Sequence, residues 1–222
     1  MKFKLISMAV LLAGLVSCGN SEPKYSCDES VDTWVKEHIT EVRKMTRSSW
    51  LESDEKFSIP MYRAFTAEQR INFWRGKFQE IKELSWSEPE LVHINELESF
   101  FEKHLDLFET NKPSDNQLDE VEIFMHKWKA AAIEKLGWTD QIIYALAACG
   151  EKVLDTNGNL KPMRSNISSS VLLTSSENCN CNIDSWFTCS HQVACDNANC
   201  SETGSGCGFF LAYECNGRCE EP

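Results

Sequence analysis

Apolar residues recur at the 3.6-residue period of an amphipathic helix from about Ser30 to Cys149, and cap signals divide the stretch into four or five segments. The first stripe carries Val31, Trp34, Val35, His38, Ile39, Val42 and Met45, opened by Asp28 or Ser30. Thr66-Ala67-Glu68-Gln69 has the form of a capping box and leads into Ile71, Trp74, Phe78 and Ile81. Ser87 with Pro89 opens a third segment with Leu91, Ile94, Leu97, Phe101, Leu105 and Phe108. A fourth follows Lys112-Pro113-Ser114-Asp115, carries Leu118, Val121, Met125, Trp128 and Ala132, and ends at Gly137. The last runs from Thr139 or Asp140 to Cys149, where Gly150 stops it. These segments predict a helical domain over 30–150, long enough to bury its own core.

After Gly150 the pattern changes. Asn157-Gly158 sits between short apolar runs and predicts a tight turn or small hairpin. From Lys161 to Glu177 the composition turns to Ser, Asn and Thr, so 151–177 reads as a turn followed by an exposed linker open to proteases. Asp155, Asn157 and Asn159 lack the sixth-position glycine and the closing glutamate of a calcium loop.

Eight of the eleven cysteines fall in the remaining segment, 178–222: Cys179, Cys181, Cys189, Cys195, Cys200, Cys207, Cys215 and Cys219. Its few apolar residues cannot offset the entropy of ordering it, and bridges of about 2–4 kcal/mol each are the remaining source of stability. Zinc is the competing chemistry, with Cys179, Cys181 and His191 as ligands. The spacings are not those of paired C-x2-4-C sites, and disulfides are the better reading. Eight cysteines allow 105 pairings, so the connectivity stays open. Phe209, Phe210, Leu211 and Tyr213 form either an exposed contact patch or the core of the module. The expected fold is therefore mainly α, a helical domain of four to five helices followed by a small disulfide-rich C-terminal module.

The N-terminus supplies an address. Lys2 and Lys4 precede an apolar run from Leu5 to Val16, which is too short to span a bilayer and has the layout of a secretory signal. The run ends in Leu15-Val16-Ser17-Cys18, which resembles a bacterial lipobox. That resemblance implies removal of residues 1–17, acylation of Cys18 and a lipid-anchored chain with a tether over 18–29. Ten cysteines then remain, an even number suited to an oxidising compartment. Cys27 and Cys149 bracket the helical domain, and because the other eight cluster and pair among themselves, these two are expected to bridge each other.

The charge narrows the partners. The chain carries 22 Lys and Arg against 34 Asp and Glu, a net −12 that deepens to −14 when Lys2 and Lys4 leave with the signal. Such a balance opposes binding to nucleic acid or to anionic lipid. His38, His93, His104 and His126 lie in separate segments without a metal-ligand string, and no nucleophile and base fall at catalytic spacing. No enzyme activity, metal or cofactor is expected.

Asn178-Cys179-Asn180-Cys181, the evenly scattered cysteines after it, Gly206-Cys207-Gly208 with aromatics following, and Cys215-Asn216-Gly217 together resemble fulvocin C, a small cysteine-rich bacteriocin. The resemblance covers about the last fifth of the chain, and the helical region matches only in layout. It implies an exported antibacterial peptide released or displayed after cleavage in the linker, with the helical domain as a pro-region. The segment 177–222 holds seven acids and one arginine, so the expected target is a protein receptor on susceptible bacteria rather than the lipid itself. The alternative is a non-toxic envelope lipoprotein whose cysteine-rich module binds a surface ligand or partner protein.

Overall fold

Each long helix begins where a short polar side chain satisfies the open N–H groups of its first turn. The computed structural model describes residues 23–110, 112–164, 181–183, 185, 194–197 and 204–219. Asp28 caps α1 (Glu29–Glu37), which is followed by the short α2 (Ile39–Val42). Thr66 and Gln69 form a capping box on α5 (Ala67–Lys82), Ser87 and Glu90 on α6 (Glu88–Lys103), and Ser114 and Gln117 on α7 (Asp115–Ala131). Thr139 caps α8 (Asp140–Ala147). A π-helical turn, Ala132–Leu136, ends α7 at Gly137, whose φ of 68° lets the chain reverse there.

Two helices were not expected from the periodicity, α3 (Arg47–Leu51) and α4 (Glu55–Ala64). α3 has only five residues, two of them serine, and α4 contains Pro60, features that weaken a sequence signal. Their stability comes from packing. Trp50 is completely buried and its indole N–H donates to Ser58 O at 2.8 Å, tying α3 to α4.

The core runs along α4 to α8 and is crowded with rings. Trp50, Tyr62, Phe73, Trp74, Phe78 and Phe101 are all buried, with edge and tilted contacts at centroid distances of 4.9 to 6.4 Å. Four buried cationic side chains bind backbone carbonyls of loops and element ends, supplying donors that water cannot reach there. Arg63 reaches Tyr25 O at 2.6 Å, and Arg70 reaches Phe108 O at 2.8 Å and Thr110 O at 3.2 Å. Arg47 reaches Gly150 O at 2.7 Å while forming a two-pronged pair with Glu80. Lys77, with no exposed surface, donates to Cys149 O at 2.5 Å and Glu151 O at 3.2 Å.

Residues 151–164 pack onto the helices. Val153 and Leu160 bridge in antiparallel fashion around Asn157-Gly158, as a small hairpin. Val153 and Met163 are buried in the main core, Glu55 N donates to Arg164 O, and Lys161 and Arg164 both pair with Glu52. This stretch belongs to the helical body, and the remainder of the expected linker, 165–177, lies outside the described residues. Gly158 has a φ of +78°, and a Cβ there would lie 2.7 Å from Ile142 Cα. Gly158→Ala is therefore expected to cost about 2 kcal/mol in urea unfolding, through left-handed backbone strain plus the displaced hairpin.

The C-terminal segment forms two small antiparallel ladders: β1 (Cys195–Asn197) with β4 (Gly217–Cys219), and β2 (Ser205–Cys207) with β3 (Tyr213–Glu214). The expected architecture is what the structure shows, a mainly helical chain with a small, disulfide-linked C-terminal region.

Candidate functional site

The feature with the most unusual geometry is the loop between β2 and β3. Ser205 pairs with Glu214 and Cys207 with Tyr213, and the Cys207–Cys215 disulfide closes the loop at its base. Gly208 takes a φ of +65°, and a Cβ there would lie 2.6 Å from the Tyr213 ring. Phe209–Leu211 lie in two overlapping tight turns instead of a regular helix, with Leu211 N donating to Gly208 O and Ala212 N to Phe209 O. Phe210 and Leu211 both adopt positive φ, 55° and 52°, which non-glycine residues do only when their surroundings hold them there.

The surroundings are the helical body. Phe210 has no exposed surface and meets Trp74 edge-on at 5.4 Å, Phe101 at 5.9 Å and Phe100 at 6.2 Å. Tyr62 Oη, which accepts from Trp74 Nε1, donates to Phe210 O at 3.3 Å. On the other flank Tyr213 Oη donates to Leu118 O at 3.4 Å. β2 passes so close to α4 that a Cβ on Gly206 would lie 2.9 Å from Ile59 Cγ2. Lys112 and Glu214 pair at the rim at 3.2 Å. Phe209 to Tyr213 thus belong to the same core as the helices, neither an exposed patch nor a separate core of the C-terminal segment.

The cysteines can now be placed. Cys181 bridges Cys195, Cys207 bridges Cys215, and Cys219 is also disulfide-bonded. Cys18, Cys179, Cys189 and Cys200 lie outside the described residues. Asn182 and Asn216 brace the region: Asn182 Nδ2 donates to Glu214 O, and Asn216 Oδ1 accepts from Ile183 N.

The expected Cys27–Cys149 bridge is not formed. Cys149 is a buried thiol at the end of α8, 3.6 Å from Ala145 O and 3.5 Å from Lys77 Nζ. Cys27 instead packs beside Ile59 and the Cys207–Cys215 bridge. Pairing the two by elimination ignored where the helices carry them.

Three of the described histidines, His38, His93 and His104, stack on aromatic rings. His93 is stacked on Trp128 at 4.7 Å, its Nε2–H donates to Trp128 O, and burial lowers its pKa. His38 stacks on Trp34 and His104 on Phe100. Asp155 accepts from Asn157 N, Asn159 N and Asn159 Nδ2, an arrangement that closes the hairpin turn. Among the described residues no group of three His, Cys, Asp or Glu is placed to hold a metal ion, and no helix is long and apolar enough to cross a membrane.

Burial raises the pKa of Tyr62, Tyr144 and Tyr213 above the ordinary phenol range, and pushes Cys149 from 9.0 up to about 12 despite the nearby Lys77 ammonium. The folded chain holds these protons to higher pH than the unfolded chain does. Their stabilisation is therefore complete below about pH 9 and is lost as pH rises toward 12. Lys77, lowered by burial, acts in the opposite sense as pH rises toward its ordinary 10.5 and adds nothing further above it, where the four proton-holding groups act alone. Urea midpoints are expected to fall above about pH 10.5, and to fall less steeply in Cys149→Ala.

Fold and site together define a class: a helical body that holds a disulfide-closed aromatic loop of its own C-terminal segment. Comparison with protein-family models, with curated proteins and with solved structures returned no match.

Proposed function

We propose that this chain is an exported bacterial lipoprotein of the fulvocin C type, a bacteriocin precursor in which the helical body acts as a pro-region for the disulfide-stapled C-terminal segment. The observation that carries the reading is the burial of Phe209, Phe210 and Leu211 among the helices, because a pro-region that shields a peptide must cover its apolar surface. The basic start, the apolar run and Leu15-Val16-Ser17-Cys18 support export and acylation at Cys18. The disulfides support an oxidising compartment. Anchoring is to a membrane facing the periplasm or exterior, with a protein receptor on the target cell once the C-terminal segment is released. The reading involves no catalysis and no cofactor.

Intact mass of the cell-associated and released forms tests it. The expected result is a diacylglyceryl adduct on a chain beginning at Cys18, together with a shorter released form cut within 165–177. Cys18→Ala is expected to move the protein out of the membrane fraction. A single uncut form, and no killing by the released, oxidised segment, would overturn the precursor reading.

A second reading has its own support. Because the aromatic loop and the helices share one core, the chain also suits a non-toxic envelope lipoprotein that works uncut and binds a surface ligand or partner protein. A stable, uncleaved, membrane-bound chain would favour it.

A further inference from the structure

We infer that the helical body is a receptor for the Cys207–Cys215 loop, able to hold the C-terminal segment as a separate chain once the covalent connection between them is cut. The inference rests on and deepens the precursor reading: cleavage alone leaves the excised segment held and silent on the body, and its release is a separate, later step.

The contacts are those of a binding interface. One aromatic anchor, Phe210, fills a socket made by Trp74, Phe100 and Phe101, all contributed by chain that precedes residue 150. Central aromatic anchors in closed sockets supply most of the affinity of protein interfaces. Around it lie polar contacts that fix the orientation, Tyr62 to Phe210 O, Tyr213 to Leu118 O, and Lys112 to Glu214 at the rim.

The loop also arrives shaped. The Cys207–Cys215 bridge and the β2–β3 pairing are both internal to 204–215, so part of the ordering cost on docking is already met. What the body adds is the packing that holds Phe210 and Leu211 at positive φ. A covalent tether contributes an effective concentration of roughly millimolar and no contact of its own. An interface of this composition does not need that help at micromolar protein.

The test uses the full chain with a protease recognition sequence inserted between residues 165 and 177, cut under oxidising conditions and run on size exclusion at low micromolar concentration. Both fragments are expected to elute together, with mass spectrometry showing the cut complete and the bridges intact. In the cut Phe210→Ala chain the apparent dissociation constant is expected to rise roughly a hundredfold or more, and in Phe210→Leu roughly tenfold. Phe210→Leu keeps the inference testable if the alanine variant does not fold. Separation of the wild-type fragments with bridges intact would overturn the inference. That outcome is independent of processing in cells: an uncut native chain sinks the precursor reading alone, whereas separation after the engineered cut sinks the receptor inference alone.

Discussion

Phe210→Ala is expected to destabilise the entire chain by about 3–5 kcal/mol, the range for removing a buried aromatic ring and leaving a cavity. The ring sits at the meeting point of α5, α6 and the C-terminal loop, in contact with Trp74, Phe100 and Phe101. A further loss comes from the backbone. Phe210 and Leu211 hold positive φ only because their side chains are packed, and without the ring that conformation loses its support. The effect is read by following helical circular dichroism through a urea titration. If the C-terminal region were an independent module, the helical transition would not move; a shared core requires that it does. Cys207→Ala with Cys215→Ala is expected to act in the same direction but less strongly, by about 2–4 kcal/mol, since it loosens the loop without emptying the socket.

Lys77→Ala is the second large effect, again about 3–5 kcal/mol. The ammonium sits inside the body with no exposure and binds Cys149 O, Glu151 O and Cys149 Sγ, closing the end of α8 and the turn into the following hairpin. Removing it leaves the buried Cys149 carbonyl without this donor, at roughly 1–3 kcal/mol, leaves Glu151 O to Arg47 alone, and empties the volume of a long side chain whose ammonium lies over the Trp74 ring. Lys77→Met separates the two contributions. It refills the volume and relieves the cost of burying a charge, so it is expected to recover about half of the loss. Thermal melts of the two variants side by side read the difference. An alanine variant as stable as the parent would mean that the lysine is not buried as described.

Much of the helical body was legible because its signals are local. The capping boxes at Thr66, Ser87 and Ser114, the left-handed stop at Gly137 and the Asn157-Gly158 turn each lie within a few residues of the structure they determine. Helices α3 and α4 were missed because their stability is tertiary: Trp50 and Ser58 find each other across a turn, and Arg63 is held by Tyr25 O. The loop site was legible in half. The cysteines at 207 and 215 and the aromatics between them were readable as part of a disulfide-linked element, but Trp74 and Phe101 read only as helical core, and Tyr62 lies in α4, which the periodicity does not announce. No periodicity says that one core must also admit a ring from more than a hundred residues away. The Cys27–Cys149 expectation failed for the related reason that pairing depends on distance in space, and counting cysteines carries no distance.

The central claim is that body and loop are one cooperative unit, and hydrogen exchange on the unmodified, oxidised chain tests it most directly. The amides of Leu211 and Ala212, which donate inside the loop to Gly208 O and Phe209 O, are to be compared with core amides of α5 such as Phe78. If the loop opens only when the body unfolds, both sets exchange with the same opening free energy and the same denaturant dependence. Loop amides that exchange orders of magnitude faster, while α5 stays protected, would contradict the account.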